Sequence, residues 1–251
     1  MLESALRKLV PEWDIDTVEV ITYLEGGYSN DNYRIRYRDH EYALRVPLRD
    51  QPLVDRHHER AWLDKLPNAI GVHPIAYDTE DGYMLSPWIE GDLLVDVWHQ
   101  QSKPQELCDY LLSLHNSLPD AQRTYDLSSY GVEPRPTSFS TTCHNDLNPW
   151  NIIVTPTAWV TLDWEFVGYN DPLFDLVGLH QGLELPESEL ADLGEYYLAQ
   201  IQQPFSQDRL YACIYNFWLR EHSWAKYQLS VGNNRTEIEE QLQVAESHLR
   251  Q

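Results

Sequence analysis

Between Val18 and Pro47 the chain offers only short runs of β-branched and aromatic residues, cut by a glycine pair and polar turns, whereas beyond Gln105 its apolar residues recur mainly at helical spacing. A chain patterned in that order folds first as an antiparallel sheet and then as packed helices, which predicts an α+β protein of two lobes. Strands are expected over residues 18–24, 32–38, 41–47, 74–78 and 83–89, with a helix over 53–66 that Pro67 ends. Pro87 and Gly91 bracket a short extended crossing, so the expected lobes are residues 1–90 and 91–251. In the second lobe the spacing predicts helices over 105–118, 172–182, 187–202, 207–231 and 236–250. A hairpin over 151–155 and 159–163, turned at Pro156-Thr157, precedes the last four.

With 251 residues, 42% of them apolar, the chain can bury a core without disulfide or metal staples. Cys108, Cys143 and Cys213 are odd in number and far apart in sequence, which fits buried, inert thiols in a reducing compartment. No stretch approaches the roughly 18 apolar residues of a membrane span, and the first ten residues lack the pattern of a secretory signal, so a cytoplasmic location is expected. Forty acidic residues against 18 basic ones leave a net charge of −22, which repels nucleic acid and anionic membranes. Residues 91–251 carry 8 Lys and Arg against 23 Asp and Glu, or −15 of that total. Such a surface either steers a small cation inward or keeps a solvated face soluble.

The chemistry concentrates in a few short segments. In His144-Asn145-Asp146-Leu147-Asn148-Pro149-Trp150-Asn151, a carboxylate and an amide stand five residues apart in a loop made irregular by proline. Phosphoryl transfer needs a carboxylate for the attacking hydroxyl and oxygen donors for Mg²⁺, which Asp146 and Asn151 can supply. The alternative is a polar turn whose Asp and Asn cap local backbone. Asp163-Trp164-Glu165 ends the strand twelve residues after Asn151, adding a second hard-oxygen donor in Asp163 and a further carboxylate in Glu165. Near the start, Gly26-Gly27-Tyr28-Ser29-Asn30 forms a turn whose glycines let backbone amides approach phosphate oxygens. Arg45 ends the third strand and Glu59 lies on the following helix, a pairing that would present a held cation to phosphate or else form an ordinary salt bridge.

In that order, these segments resemble the family of aminoglycoside phosphotransferases and choline, ethanolamine and thiamine kinases, with a two-lobed protein-kinase-like fold. Gly-Gly-Tyr-Ser-Asn, Leu-Arg-Val-Pro and the run from Leu162 to Leu176 are most similar to bacterial choline kinases. The resemblance implies an ATP- and Mg²⁺-dependent kinase that phosphorylates the hydroxyl of a small cationic alcohol in a cleft between the lobes. Choline stands ahead of thiamine, ethanolamine and an aminoglycoside. It makes Asp146 the catalytic base, Asn151 and Asp163 the metal ligands, Arg45 the phosphate-binding cation and Asp175 the anchor of the catalytic loop. Gly26, Gly27, Ser29, Asn30 and Glu59 join the nucleotide site, and Ser86, Pro87, Trp88 and Ile89 line the adenine with backbone groups. Trp150 departs from the family, which often has glycine there.

The acceptor site is expected on the later helices. Helical spacing puts Phe217, Glu221, Trp224 and Gln228 on one face, where a carboxylate between rings suits a quaternary ammonium, unless the stripe is simply core. Two rivals from other classes are a nucleotide-binding scaffold without catalysis and a hydrolytic metal centre on His144 and Asp146. The intact Asp146, Asn151 and Asp163 speak against the scaffold, and the second leaves the glycine turn and Arg45 without a role.

Overall fold

The structure, a computed structural model, describes residues 2–24, 27–48, 54–98, 103–137 and 141–250. The chain forms two compact units, one of Met1–Leu93 with Ile152–Glu165, the other of Leu94–Asn151 with Phe166–Gln251. This division departs from a single cut at residue 90, because a hairpin far along the sequence packs with the first unit. Its strands β8 (Ile152–Val154) and β9 (Trp159–Thr161) form a sheet with β6 (Asp92–Leu93), in the order β6-β8-β9. The Thr161 N–H also donates to the Ile70 carbonyl at 2.9 Å.

The main sheet of the first unit is antiparallel, in the order β1-β2-β3-β5-β4. Its strands are β1 (Glu19–Leu24), β2 (Asn30–Tyr37), β3 (His40–Pro47), β4 (Ala76–Tyr77) and β5 (Met84–Pro87). Residues alternate across the pleat, so Ile35, Leu44, Val46 and Leu85 share a buried face. Helix α1 (Leu2–Leu9) covers that face with Ala5 and Leu6. Helix α2 (Arg56–Leu63) starts where the Asp55 side chain accepts the His58 N–H at 3.0 Å, which satisfies one of the free amides of its first turn. It buries Glu59, Trp62 and Leu63, and Trp62 meets Trp164 of the second segment with ring centroids 6.3 Å apart.

The second unit is mainly helical. It contains the short α3 (Leu94–Val97), α4 (Gln105–Ser117), α5 (Leu173–Gly182), α6 (Glu187–Gln200), α7 (Gln207–Ser230) and α8 (Thr236–Leu249). A two-stranded sheet of β7 (Thr141–Cys143) and β10 (Gly168–Asn170) lies beside the loop that begins at His144. Helix α5 is the buried centre, with every residue from Leu173 to His180 out of solvent. All three cysteines are buried free thiols, and burial pushes the Cys108 thiol up to about 12, in keeping with inert side chains. No helix of the described residues is long and apolar enough to cross a membrane.

One close approach ties this fold to the chemistry. A Cβ on Gly178 of α5 would lie 2.5 Å from the Leu147 carbonyl oxygen, one residue beyond Asp146. Alanine gains roughly 1 kcal/mol over glycine in a helix interior, but forcing backbone apart in a packed core costs about 1–3 kcal/mol. Gly178→Ala is therefore expected to lower stability in denaturant unfolding and to reduce any activity that depends on Asp146. A variant more stable than the parent would show that the loop yields without cost.

Candidate active site

In the second unit the loop after β7 is built on Asp175 of α5. Asp175 is buried and accepts the N–H groups of His144 at 2.7 Å and Asn145 at 2.8 Å. His115 of α4 lies 3.0 Å from it through Nε2 and 2.7 Å from the Tyr197 hydroxyl of α6 through Nδ1. Burial alone would raise the Asp175 carboxyl, yet His115 and the His144 amide hold it below its ordinary value. Asn145 sits in the left-handed region at φ 68°, which Asn tolerates better than most residues. Its amide donates to the carbonyls of Cys143, Phe166 and Gly168, while its Oδ1 accepts from Asn170 at 2.8 Å. The turn that aims Asp146 is thus fixed on every side.

Asp146 receives the Arg220 Nη1 at 2.7 Å on Oδ1, and among the described residues its Oδ2 meets only the longer contact from Asn151 Nδ2 at 3.4 Å. Asn151 also donates from Nδ2 to the Asp146 carbonyl at 2.9 Å, and its Oδ1 is the oxygen-donor end of the same amide. Asn148 Oδ1 accepts the Trp150 and Asn151 N–H groups at 3.1 and 3.2 Å and so closes the turn around Pro149. Burial raises the Asp146 carboxyl above its ordinary value and the Glu221 charge adds to this, although Arg220 opposes both. The His144 Nδ1 accepts the Asp146 N–H at 3.2 Å, so this ring nitrogen serves its own loop.

In the first unit, Arg45 of β3 and Glu59 of α2 form a bidentate pair at 2.8 and 2.9 Å, both buried. The Tyr77 hydroxyl of β4 donates to Glu59 through a short bond and receives Arg45 Nη2 at 3.0 Å. Arg56, one helical turn before Glu59, reaches Glu59 at 3.1 Å and Glu165 at 2.9 Å. Asp163, at φ 60°, places Oδ1 3.5 Å from Arg45 Nη1. Burial would raise Glu59, but Arg45 and then Arg56 draw it down to about 2. Glu165 moves the other way, raised first by burial and then by the neighbouring Asp163 charge.

Two observations bear on what these groups can hold. Carboxylate oxygens of Glu59, Asp163 and Glu165 all lie within 4.8 Å of one another, and such hard donors fit Mg²⁺. Arg45 Nε is buried with no hydrogen-bond partner among the described residues, an orphaned cationic donor that fits a phosphate oxygen.

Gly27 also behaves as a backbone-approach position, since a Cβ there would lie 2.2 Å from the Asn30 carbonyl oxygen. Gly26 lies outside the described residues. Ser29 accepts the Leu48 N–H at 3.0 Å, and the buried Asn30 opens β2 opposite Pro47. For the segment after β5 the reading needs one correction. The Trp88 N–H donates to the Glu41 carbonyl at 3.0 Å and its indole to Glu90, beneath Arg34, so the Trp88 amide belongs to the sheet. The alternation of an antiparallel ladder then turns the Pro87 carbonyl to the opposite edge, past the end of β4 at Ala76.

On α7, Phe217 and Gln228 are buried, while Glu221 and Trp224 are partly exposed. Glu221 accepts a short bond from Arg220 and another from Gln241 of α8 at 2.8 Å. Sequence patterning singled out neither Arg56 nor Arg220 as a site residue. Arg56 is detectable only as a cation one turn from Glu59, and Arg220 only as the neighbour of Glu221.

Residues 20–131 and 130–212 match the model of the phosphotransferase enzyme family. Protein LicA of Haemophilus influenzae is 24% identical over 209 residues, which cover 70% of this chain and 62% of that protein. The crystal structure of choline kinase LicA from Streptococcus pneumoniae superposes with a TM-score of 0.71 at 20% identity, over 92% of this chain and 94% of that one. A structure of LicA in complex with AMP gives 0.73 at 20% identity, over 99% and 96%. These likenesses establish an α+β protein-kinase-like fold, an antiparallel-sheet lobe with a mainly helical one. Because the matched model spans most of the sequence and its two segments hold both the Arg45–Glu59 pair and the Asp146 loop, the chain belongs to the phosphotransferase enzyme family.

Proposed function

We propose that this protein is an ATP- and Mg²⁺-dependent kinase of the cytoplasm that transfers the γ-phosphate to the hydroxyl of a small cationic alcohol, with choline foremost and thiamine, ethanolamine and an aminoglycoside as alternatives. The observation that carries the reading is Asp146, a carboxylate fixed by a locked loop with Oδ1 bonded and Oδ2 available to a hydroxyl. In this reading residues 1–93 hold the nucleotide, and the helical unit supplies the base and the acceptor site. The names of the solved relatives support it, one being a choline kinase and another a complex with AMP.

Each residue then has a physical task. The Pro87 carbonyl and Ile89 N–H offer adenine an acceptor and a donor, and Arg45, held by Glu59, presents its unused Nε–H to phosphate. Gly27 lets backbone approach the phosphates. Asn151 and Asp163 would hold Mg²⁺, with Glu165 beside Asp163. When bound, the metal neutralises charge on the phosphates. The acceptor oxygen forms its bond to the γ-phosphorus as the bond to the β–γ bridging oxygen breaks, and the hydroxyl proton passes to Asp146 Oδ2. ADP leaves.

Three outcomes are expected. In a panel of choline, ethanolamine, thiamine, an aminoglycoside and a neutral sugar, scored for phosphorylated product with ATP, the cations react and choline reacts best. Product from the sugar alone would end the substrate reading. Asp146→Asn retains the fold and ATP binding but lowers turnover by about 10²–10⁴-fold, the range for losing a positioned base. Asp163→Ala differs in kind, since Mg²⁺-dependent nucleotide binding and turnover fall together. Wild-type kinetics in either variant would remove the assigned role.

A further inference from the structure

Arg220 stands out in the helical unit as a buried guanidinium whose hydrogen bonds among the described residues go to the catalytic loop and its own helix. Nη1 donates to the Asn145 carbonyl and to Asp146 Oδ1, each at 2.7 Å, and Nη2 donates to Glu221. The guanidinium carbon lies 5.8 Å from the Phe174 ring centre and 5.4 Å from that of Phe217. Rings and carboxylates that could receive a cationic acceptor thus already surround a cation of the chain itself. Glu221 is in turn held by Gln241 at 2.8 Å, so the contacts run from α8 through Glu221 and Arg220 to Asp146.

We propose that Arg220 is a positioning residue that fixes the Asp146 side chain with Oδ2 turned to the acceptor hydroxyl, and that Glu221 belongs to this clamp and does not bind the acceptor cation. The inference rests on the reading of Asp146 as the base. Its geometry is specific to arginine. The planar fork bonds a carbonyl and a carboxylate with one nitrogen and a second carboxylate with the other, which a lysine ammonium on its flexible stem cannot reproduce. Bonding the Asn145 carbonyl also fixes the peptide that leads into Asp146, on a residue already held at φ 68°. A side chain free to rotate by about 1 Å at such a point can cost about 10²-fold in rate.

The test is steady-state kinetics with choline and ATP on Asp146→Asn, Arg220→Ala, Arg220→Lys and Glu221→Gln, each with a thermal melt. Asp146→Asn reports on the underlying reading. If it keeps full activity, that reading fails, whatever Arg220 does. With Asp146→Asn inactive, Arg220→Ala is expected to lose about 10–10²-fold in kcat at unchanged KM for ATP, and methylguanidinium is expected to restore part of the loss. Arg220→Lys, which keeps the charge but not the fork, also loses kcat and decides the matter if the alanine variant does not fold. Glu221→Gln lowers kcat and leaves KM for choline unchanged. Wild-type kcat in folded Arg220→Lys, absence of rescue in folded Arg220→Ala, or a raised KM for choline at unchanged kcat in Glu221→Gln would overturn the proposal.

Discussion

Asp175 is a carboxylate taken out of water, and a charge in that position persists only when its lone pairs are occupied. Among the described residues three groups bond it, meet that demand and draw separate parts of the helical unit together. His115 brings α4, and through the Tyr197 hydroxyl α6, while the His144 and Asn145 amides bring the loop. Losing one partner of such a carboxylate leaves a buried charge short of a bond, at about 3–5 kcal/mol for an ion pair. The direction of Asp146 therefore depends on a group that takes no part in the chemistry. Gly178 completes the support, because α5 can lie against the Leu147 carbonyl only without a side chain there.

The sheet unit solves a different electrostatic problem. Two guanidiniums, Arg45 and Arg56, face three carboxylates, Glu59, Asp163 and Glu165, so the cluster carries one negative charge in excess when all are ionised. The excess is unevenly shared. Glu59 is bonded by both guanidiniums and held low, whereas Glu165, bonded by Arg56, is raised by burial and by the neighbouring Asp163 charge. A cluster balanced in this way has little reason to persist as a purely structural ion pair, since apolar residues of similar volume pack at least as well. A cation bound at Asp163 and Glu165 would remove the imbalance.

Much of this was legible in the sequence, and the parts that were not share a cause. The three long strands, the hairpin and the helices from residue 105 onward fall within a few residues of their expected bounds, because each has its own periodicity or a proline or glycine at its end. Helix α1 and the two- and three-residue strands β6, β7 and β10 carry too few residues to show a period, and they form because partners distant in sequence pair with them. The return of residues 152–165 to the first unit follows from such pairing. At the site, Asp146, Asn151, Asp163, Arg45 and Glu59 stand in recognisable spacings, whereas Arg56 and Arg220 are ordinary helical arginines until the fold shows what they face. The Trp88 amide could not be assigned without the register of β3 against β5.

Charge near Asp146 is set by its immediate neighbours. A net charge of −22 suggests strong attraction for any cation, but beyond roughly 8 Å in physiological salt surface charges are largely screened. Their effect is on encounter more than on affinity. Close at hand, the carboxylates of Asp146 and Glu221 share one guanidinium, so with both ionised the cluster retains a single unit of negative charge. Arg220 thus cancels half of the acidity beside Asp146, a local balance that the overall acidity of the chain does not reveal.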